Sequence, residues 1–395
     1  MFVGSNLTNI RILHGYTRKQ LAEMLKITEQ SVWQYENGYM SPKMEVVNEL
    51  KKIFKVKSKY FYSEDFLDKN GKKVVHQSHI AYRAKEINST HKTVCEAKHV
   101  EYLSTFLNII EEKIQYPKNE IITLREKVIK YIMNSQEEYK TKIEQVAKLA
   151  RDSLGMSNQS NMNLLFLLEK KGIFIFEKSI GDKIDAYSLW TEDDRPFIIL
   201  GNLKKSASRR NFDLAHELGH LLLHYKVEFT SLDSKTHKQY EQEANLFAGA
   251  FLLPVEEFVK DFNSLHKNSN PISYIDLKRK WTVSIQALAY RAHYLGLLDY
   301  QKYRYFNIKL NQMGYKVQEP LDDQIKIMRP GKIRSILQLL FDKKYLSLSK
   351  LLDRLLVDIE FISNLVGIEV TFFKKYWNDT SREFSISDLN NFKVN

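Results

Sequence analysis

His216-Glu217-Leu218-Gly219-His220 is the stretch of this sequence whose residue types and spacing most clearly make chemistry. On a helix, residues four apart share a face, so both imidazoles can reach one ion, with Glu217 leaning toward the same side. A catalytic zinc site uses neutral imidazole nitrogens and keeps one position open for a water. Glu217 would take that water's proton during attack on a carbonyl and pass it to the leaving amine. The pattern points to metal-assisted peptide hydrolysis, with His216 and His220 as ligands and Glu217 as general base.

A third ligand is required, and Lys226 stands where an HExxHxxGxxH enzyme carries its third histidine, so that variant is excluded. The next helical stretch, Tyr240-Glu-Gln-Glu-Ala-Asn-Leu-Phe-Ala248, supplies two carboxylates. At about 100° per residue, Glu241 and Glu243 both flank the apolar stripe of Tyr240, Ala244, Phe247 and Phe251. Helical geometry alone leaves the choice open. His224 continues the four-residue spacing but lies about 12 Å along the helix from His216, too far to share its ion. It reads as a helix-end residue.

The elements that must position these residues are legible around them. Leu214, Ala215 and Leu221–Leu223 mark a helix over roughly Ala207–His224 that presses into a core, and a second helix spans roughly Tyr240–Leu253. Upstream, Gly172–Phe176, Ala186–Trp190 and Pro196–Leu200 are short β-branched or aromatic runs bounded by Gly, Asp and Pro, expected as three strands of a small sheet. The strand near Pro196–Leu200 is a candidate edge for an extended substrate segment. Residues 100–170 and those beyond Tyr274 have helical period, with a break at Met328-Arg-Pro-Gly331. The fold class expected is α+β, mainly α with a small sheet.

Residues 1–62 read as a five-helix bundle. Thr17 with Gln20 forms a capping-box pattern, Thr28 can cap the next helix, Asn37-Gly38 stops it, and Pro42 precedes another. A helix opening at Thr28 can project Glu29, Gln30, Ser31 and Gln34 toward base edges, with bulky Trp33 also at a groove-facing position and Val32, Tyr35 and Leu25 on its buried side. Arg18, Lys19 and the amide of Gln20 suit phosphate oxygens. Residues 1–60 hold ten Lys/Arg against five Asp/Glu, a local excess that favours a polyanion.

Two resemblances sharpen this. Arg209-Arg-Asn-Phe-Asp-Leu-Ala-His-Glu-Leu-Gly-His-Leu-Leu-Leu-His224, then Glu243-Ala-Asn-Leu-Phe-Ala248 and Leu252-Leu-Pro254, resemble the ImmA/IrrE metallopeptidases. The likeness runs upstream through Leu167–Ile173, Asp185–Ser188 and Arg195–Ile198. Downstream it takes in Lys280–Ile285, Arg291-Ala292, Gly314 and Glu319-Pro320, covering residues 95–330. It implies a zincin-like peptidase domain, Glu243 as the third metal ligand, and a protein partner, a repressor-like substrate or a toxin. Gln20-Leu-Ala22, Thr28–Gly38 and Ser41-Pro42 are similar to the Cro/CI (XRE) helix-turn-helix, which implies a double-stranded DNA operator and a homodimer.

Composition agrees. The 395 residues are 43% hydrophobic and 27% charged, with a net charge of +12, which suits several folded domains and contact with nucleic acid. A single cysteine, Cys95, excludes an intramolecular disulfide and a Cys-cluster zinc site. Neither a signal peptide nor an apolar run long enough for a bilayer is read in the sequence, so a cytoplasmic protein without membrane contact is expected. The expected domains are 1–62 for DNA binding, 63–99 as linker or arm, 100–265 as peptidase and 266–395 as a helical tail. Within the tail, 277–295 and 347–367 have helix-turn-helix spacing and are expected to serve packing or dimerisation. The function expected is a transcriptional regulator fused to a zinc-dependent endopeptidase, zinc being replaceable by other divalent ions. The alternative is a non-proteolytic repressor or antitoxin that uses the metal domain as a sensor or binding surface.

Overall fold

The computed structural model describes residues 1–64, 66–67, 75, 81–82, 90–117, 119–156, 160–178, 186–201 and 206–377. In chain order, helices α1 (Gly4–Leu13), α2 (Arg18–Leu25), α3 (Glu29–Glu36) and α4 (Met44–Phe54) precede a two-residue strand, β1 (Ala81–Tyr82), and the long α5 (Thr90–Glu111). Next come α6 (Glu120–Asn134), α7 (Tyr139–Ser153), α8 (Leu164–Lys170) and strands β2 (Phe174–Lys178), β3 (Ala186–Trp190) and β4 (Pro196–Gly201). Then follow α9 (Ala207–Leu223), α10 (Ser234–Leu252), α11 (Val255–Asn263), α12 (Ile275–Trp281), α13 (Ile285–Tyr294) and α14 (Tyr300–Gln312). The last helices are α15 (Lys332–Asp342), α16 (Leu348–Leu355), α17 (Ile359–Val366) and α18 (Val370–Lys374). The class is α+β, and no helix among the described residues is long and apolar enough to cross a membrane.

The chain divides into two compact units. One contains residues 1–75, 89–116 and 333 onward; the other contains 76–88 and 117–332. In the first, α1–α4 are completed by a single 3-10 turn at Ser58–Phe61 rather than by a fifth α-helix. Buried Asn6 ties this turn down by donating to the Tyr60 carbonyl at 2.8 Å. Gly4 is required where α1 crosses α3, because a Cβ there would stand 2.3 Å from the Glu36 carbonyl oxygen. The Glu36 side chain, almost fully buried, is paired with both Arg11 and Arg18 at 2.5 Å.

Residues 333–377 belong to this unit. Val56 forms an isolated antiparallel bridge with Val357, flanked by bonds from the Lys57 amide to Leu356 O at 2.8 Å and from the Asp358 amide to Lys55 O at 2.9 Å. The Phe361 ring lies 6.2 Å from His14 and 6.0 Å from Tyr102. The expected boundary at 266 is therefore not where compactness changes: 266–332 fall in one unit and 333–377 in the other. The expected linker also starts α5 within it, at Thr90. The rest of that linker, including the turn read at Gly71-Lys72-Lys73, lies largely outside the described residues.

In the second unit the sheet order is β1-β3-β4-β2. β3 runs antiparallel to β4 and to β1, and β2 parallel to β4. All three expected strands form, and they are buried nearly end to end. One continuous core joins them to α6–α14. Two polar anchors tie the later part of this unit, as far as Glu319, to the rest. Arg291 meets Glu144 through two bonds of 2.5 and 2.8 Å. Glu319 accepts from the Ile285 amide and from the buried Lys278 ammonium, at 2.8 and 2.7 Å. Desolvated charges survive only when paired in this way.

Phe361, distant in sequence from the reader helices, has a checkable role. Phe361→Ala should destabilise the first unit by about 3–5 kcal/mol, the range for emptying a buried aromatic site. Denaturant unfolding measures this, and an unchanged midpoint would show that the tail does not support residues 1–62.

Candidate metal centre and nucleic-acid interface

Helix α9 starts at Ser206, whose hydroxyl accepts from the Arg209 amide, and almost every residue from Ala207 to Leu222 is buried. It packs on β3 on one side and on α10 on another. Gly219 sets the α10 approach: a Cβ there would lie 3.0 Å from Phe247 Cδ1 and 3.4 Å from Ala244 Cα. Helix α10 begins six residues before the expected Tyr240, at Ser234, because Asp233 accepts from the Lys235 and Thr236 amides at 2.7 and 2.9 Å. That extra length carries Glu241 a full two turns inside the helix.

His216, Glu217 and His220 are all buried on α9. The Nε2 atoms of His216 and His220 are 3.1 Å apart. Glu241 straddles them, with Oε2 3.4 Å from His216 Nε2 and Oε1 3.3 Å from His220 Nε2. A tetrahedral ion with bonds of about 2.0–2.1 Å sets ligand atoms about 3.3 Å apart. The Nε2–Nε2 distance is close to that spacing, Glu241 turns one oxygen to each imidazole, and one donor atom from each residue lies within 4.8 Å of the others, so His216, His220 and Glu241 can hold a metal ion. His216 Nδ1 faces Asn245 Oδ1 at 3.1 Å, which places the proton on Nδ1 and leaves the Nε2 lone pair for a metal.

Glu243, the ligand implied by resemblance, is not in this cluster. Its Oε2 lies 3.0 Å from His224 Nε2 and accepts from Tyr139 at 3.1 Å, while Oε1 accepts from Gln239 at 2.8 Å. Two residues along a helix is a turn of about 200°, so Glu241 and Glu243 cannot address the same point. Both were open on helical spacing; the packing of α10 on α9 sets Glu241 beside His216 and His220 and Glu243 beside His224. His224 does end α9, yet its Nδ1 also lies 2.9 Å from His220 Nδ1.

Protonation states follow from burial. Desolvation pushes the His220 imidazole below its ordinary value and takes His224 down to about 4. Burial raises Glu241, but its contacts with His216 and His220 outweigh this and hold it well below the carboxylate range. Glu243 is also lowered, burial being overcome chiefly by His224 and Gln239. Neutral imidazoles and ionised carboxylates are the forms a cation needs.

Glu217 is held from the sheet. Ser188 on β3 donates to Glu217 Oε2 at 2.6 Å. Sequence reasoning missed Ser188, although strand alternation at Ala186–Trp190 could have shown that it shares a face with Ala186 and Trp190, both packed toward the core. Asn245 was missed too; its four-residue spacing from Glu241 was the available signal. The expected substrate-pairing strand, Pro196–Leu200, is interior, with β3 on one side and β2 on the other. A strand hydrogen-bonded on both sides has no edge to offer. The β3 edge instead carries β1, Ala81 opposite Ser188.

In the amino-terminal unit, Thr17 and Gln20 form the expected capping box, and Thr28 caps α3 by accepting from the Ser31 amide. Lys19, Gln20, Thr28, Glu29, Gln30 and Trp33 are exposed, and Ser31 and Gln34 half-buried, while Val32, Tyr35 and Leu25 are buried. Trp33 stacks on Tyr39 at 5.2 Å. Arg18 differs from expectation, since it is engaged by Glu36, which reduces its freedom to meet a phosphate.

Residues 168–293 match the peptidase M78 family model, described as an IrrE N-terminal-like domain, and residues 7–61 match a helix-turn-helix model. The chain joins a helix-turn-helix domain to an IrrE-like M78 domain. No curated protein matches it. The M78 match spans His216, His220 and Glu241 together, and M78 peptidases are typically metal-dependent. Within this IrrE-like domain, Glu241→Gln should weaken divalent-metal affinity by more than the roughly 10–100-fold typical of an outer-shell change. Chelator competition on the purified chain checks this; affinity retained within a few-fold would show that the carboxylate ligand lies elsewhere.

Proposed function

We propose that this protein is a DNA-binding regulator whose M78 domain is a zinc-dependent endopeptidase acting on a protein partner, a repressor-like substrate or a toxin. The observation that carries the reading is the convergence of His216, His220 and Glu241 with a neighbouring carboxylate, Glu217, held by Ser188. Zinc bound to those three residues supplies Lewis-acid polarisation and a more acidic water. Glu217 is the proton acceptor and then the donor to the leaving amine. The bond from Ser188 keeps its carboxylate oriented while burial excludes bulk water. Asn245 fixes the His216 tautomer.

The test separates chemistry from binding. Glu217→Gln leaves all three ligands in place, so zinc content should be unchanged while cleavage of a co-encoded partner falls roughly 100- to 10,000-fold. Repression or toxin neutralisation that survives this change, with no cleavage by the parent protein, would establish the non-proteolytic regulator instead.

The amino-terminal domain reads an operator through Thr28, Glu29, Gln30, Ser31, Trp33 and Gln34, with Lys19 and Gln20 on phosphates and Arg18 contributing charge. One such bundle spans few base pairs, which favours a homodimer on a two-fold operator. Lys19→Ala should weaken binding evenly across sequences and reduce the salt slope by about one. Fluorescence anisotropy across a salt series measures it; a slope unchanged by Lys19→Ala would remove that residue from the interface.

A further inference from the structure

Behind the metal-facing edge of His220 runs a buried chain of donors and acceptors that hydrolysis does not use. His220 Nδ1 is 2.9 Å from His224 Nδ1, and His224 Nε2 is 3.0 Å from Glu243 Oε2. Gln239 and Tyr139 donate to the same carboxylate, so Glu243 is surrounded by donors and is itself an acceptor. That dictates every proton along the line. His224 gives its Nε2–H to Glu243, which leaves His224 Nδ1 as a lone pair. His220 must then place its own proton on Nδ1, which frees Nε2. The reverse arrangement would put a proton on His220 Nε2, where the cation has to bind. The surroundings are dry: Phe229 packs 5.6 Å from the His220 ring, and Tyr240 packs 4.6 Å from that of His224. His224 is itself buried, so water is a poor substitute for the missing acceptor.

We propose that Glu243 and His224 are positioning residues that lock the tautomer of His220 and thereby set the metal affinity of the site. The inference rests on the reading of His216, His220 and Glu241 as metal ligands. Glu243 acts two imidazoles removed from the ion, through His224 and then His220, and His216 and His220 are held differently. His216 leans on a neutral amide, Asn245, whereas His220 is backed by a carboxylate through His224.

The experiment uses the full-length chain, labelled with 15N-histidine and loaded with zinc. In the parent protein, a scalar coupling across the hydrogen bond should join the Nδ1 atoms of His220 and His224. Glu243→Leu and His224→Leu should abolish it and weaken zinc binding roughly 10–100-fold. His224→Gln, whose amide oxygen can accept the Nδ1–H of His220, should recover most of that affinity. Leucine variants that bind zinc within about threefold of the parent overturn the proposal, as does a zinc-loaded parent without the coupling. Where the leucine variants do not fold, the coupling in the parent decides. A parent that takes up no zinc overturns the metal reading and this inference with it; a zinc-loaded parent lacking the coupling overturns the tautomer lock alone.

Discussion

The crossing of α9 and α10 at Gly219 is the constraint on which the site depends. His216 and His220 sit on one helix and Glu241 on the other, so the spacing between helix backbones becomes the spacing within the cluster. Gly219 has no side chain, and Phe247 fills the volume within 3.0 Å of where one would start. A bulkier residue would force the helices apart by roughly its own radius, and coordination distances tolerate only a few tenths of an ångström. The apolar face of α10, with Ala244, Phe247, Ala248 and Phe251 fully buried, thus does its main service at a distance, by holding Glu241 against His216 and His220.

The same two helices hold an unusual load of buried polar groups, and their arrangement is layered. Asn245 orients His216, Ser188 orients Glu217, and Glu243 acts on His220 through His224. Asn245 and Glu243 come from α10, Ser188 from β3 and His224 from the end of α9, so no local segment could build the set. In so dry a place the low local dielectric strengthens each of these hydrogen bonds.

One local design recurs three times. Among the described residues, a helix, a left-handed residue, an apolar residue and an extended N-cap residue precede a second helix at Lys26–Thr28, Thr282–Ser284 and Leu356–Asp358; the Thr28 and Ser284 side chains cap, and that of Asp358 does not. Burial separates their roles. α3 exposes Glu29, Gln30 and Trp33, whereas α17 buries Ile359, Phe361, Ile362, Ser363, Leu365 and Val366. A helix buried on most of its faces cannot enter a groove, so 347–367 serves packing, as its apolar spacing led one to expect.

What was legible in the residues was local. The HExxH spacing, the capping signals at Thr17 and Thr28, the three short strands and the resemblance to two families all depend on neighbours within a few turns, and periodicity records such neighbours directly. Which of Glu241 and Glu243 faces the imidazoles depends on how α10 is rotated against α9, and both carboxylates flank the same apolar stripe. The return of residues 333–377 to the amino-terminal helices, and the attachment of 266–332 to the M78 domain, likewise rest on contacts between residues more than a hundred positions apart. Pattern along a helix reports which side is buried; only the assembled core decides what that side is buried against.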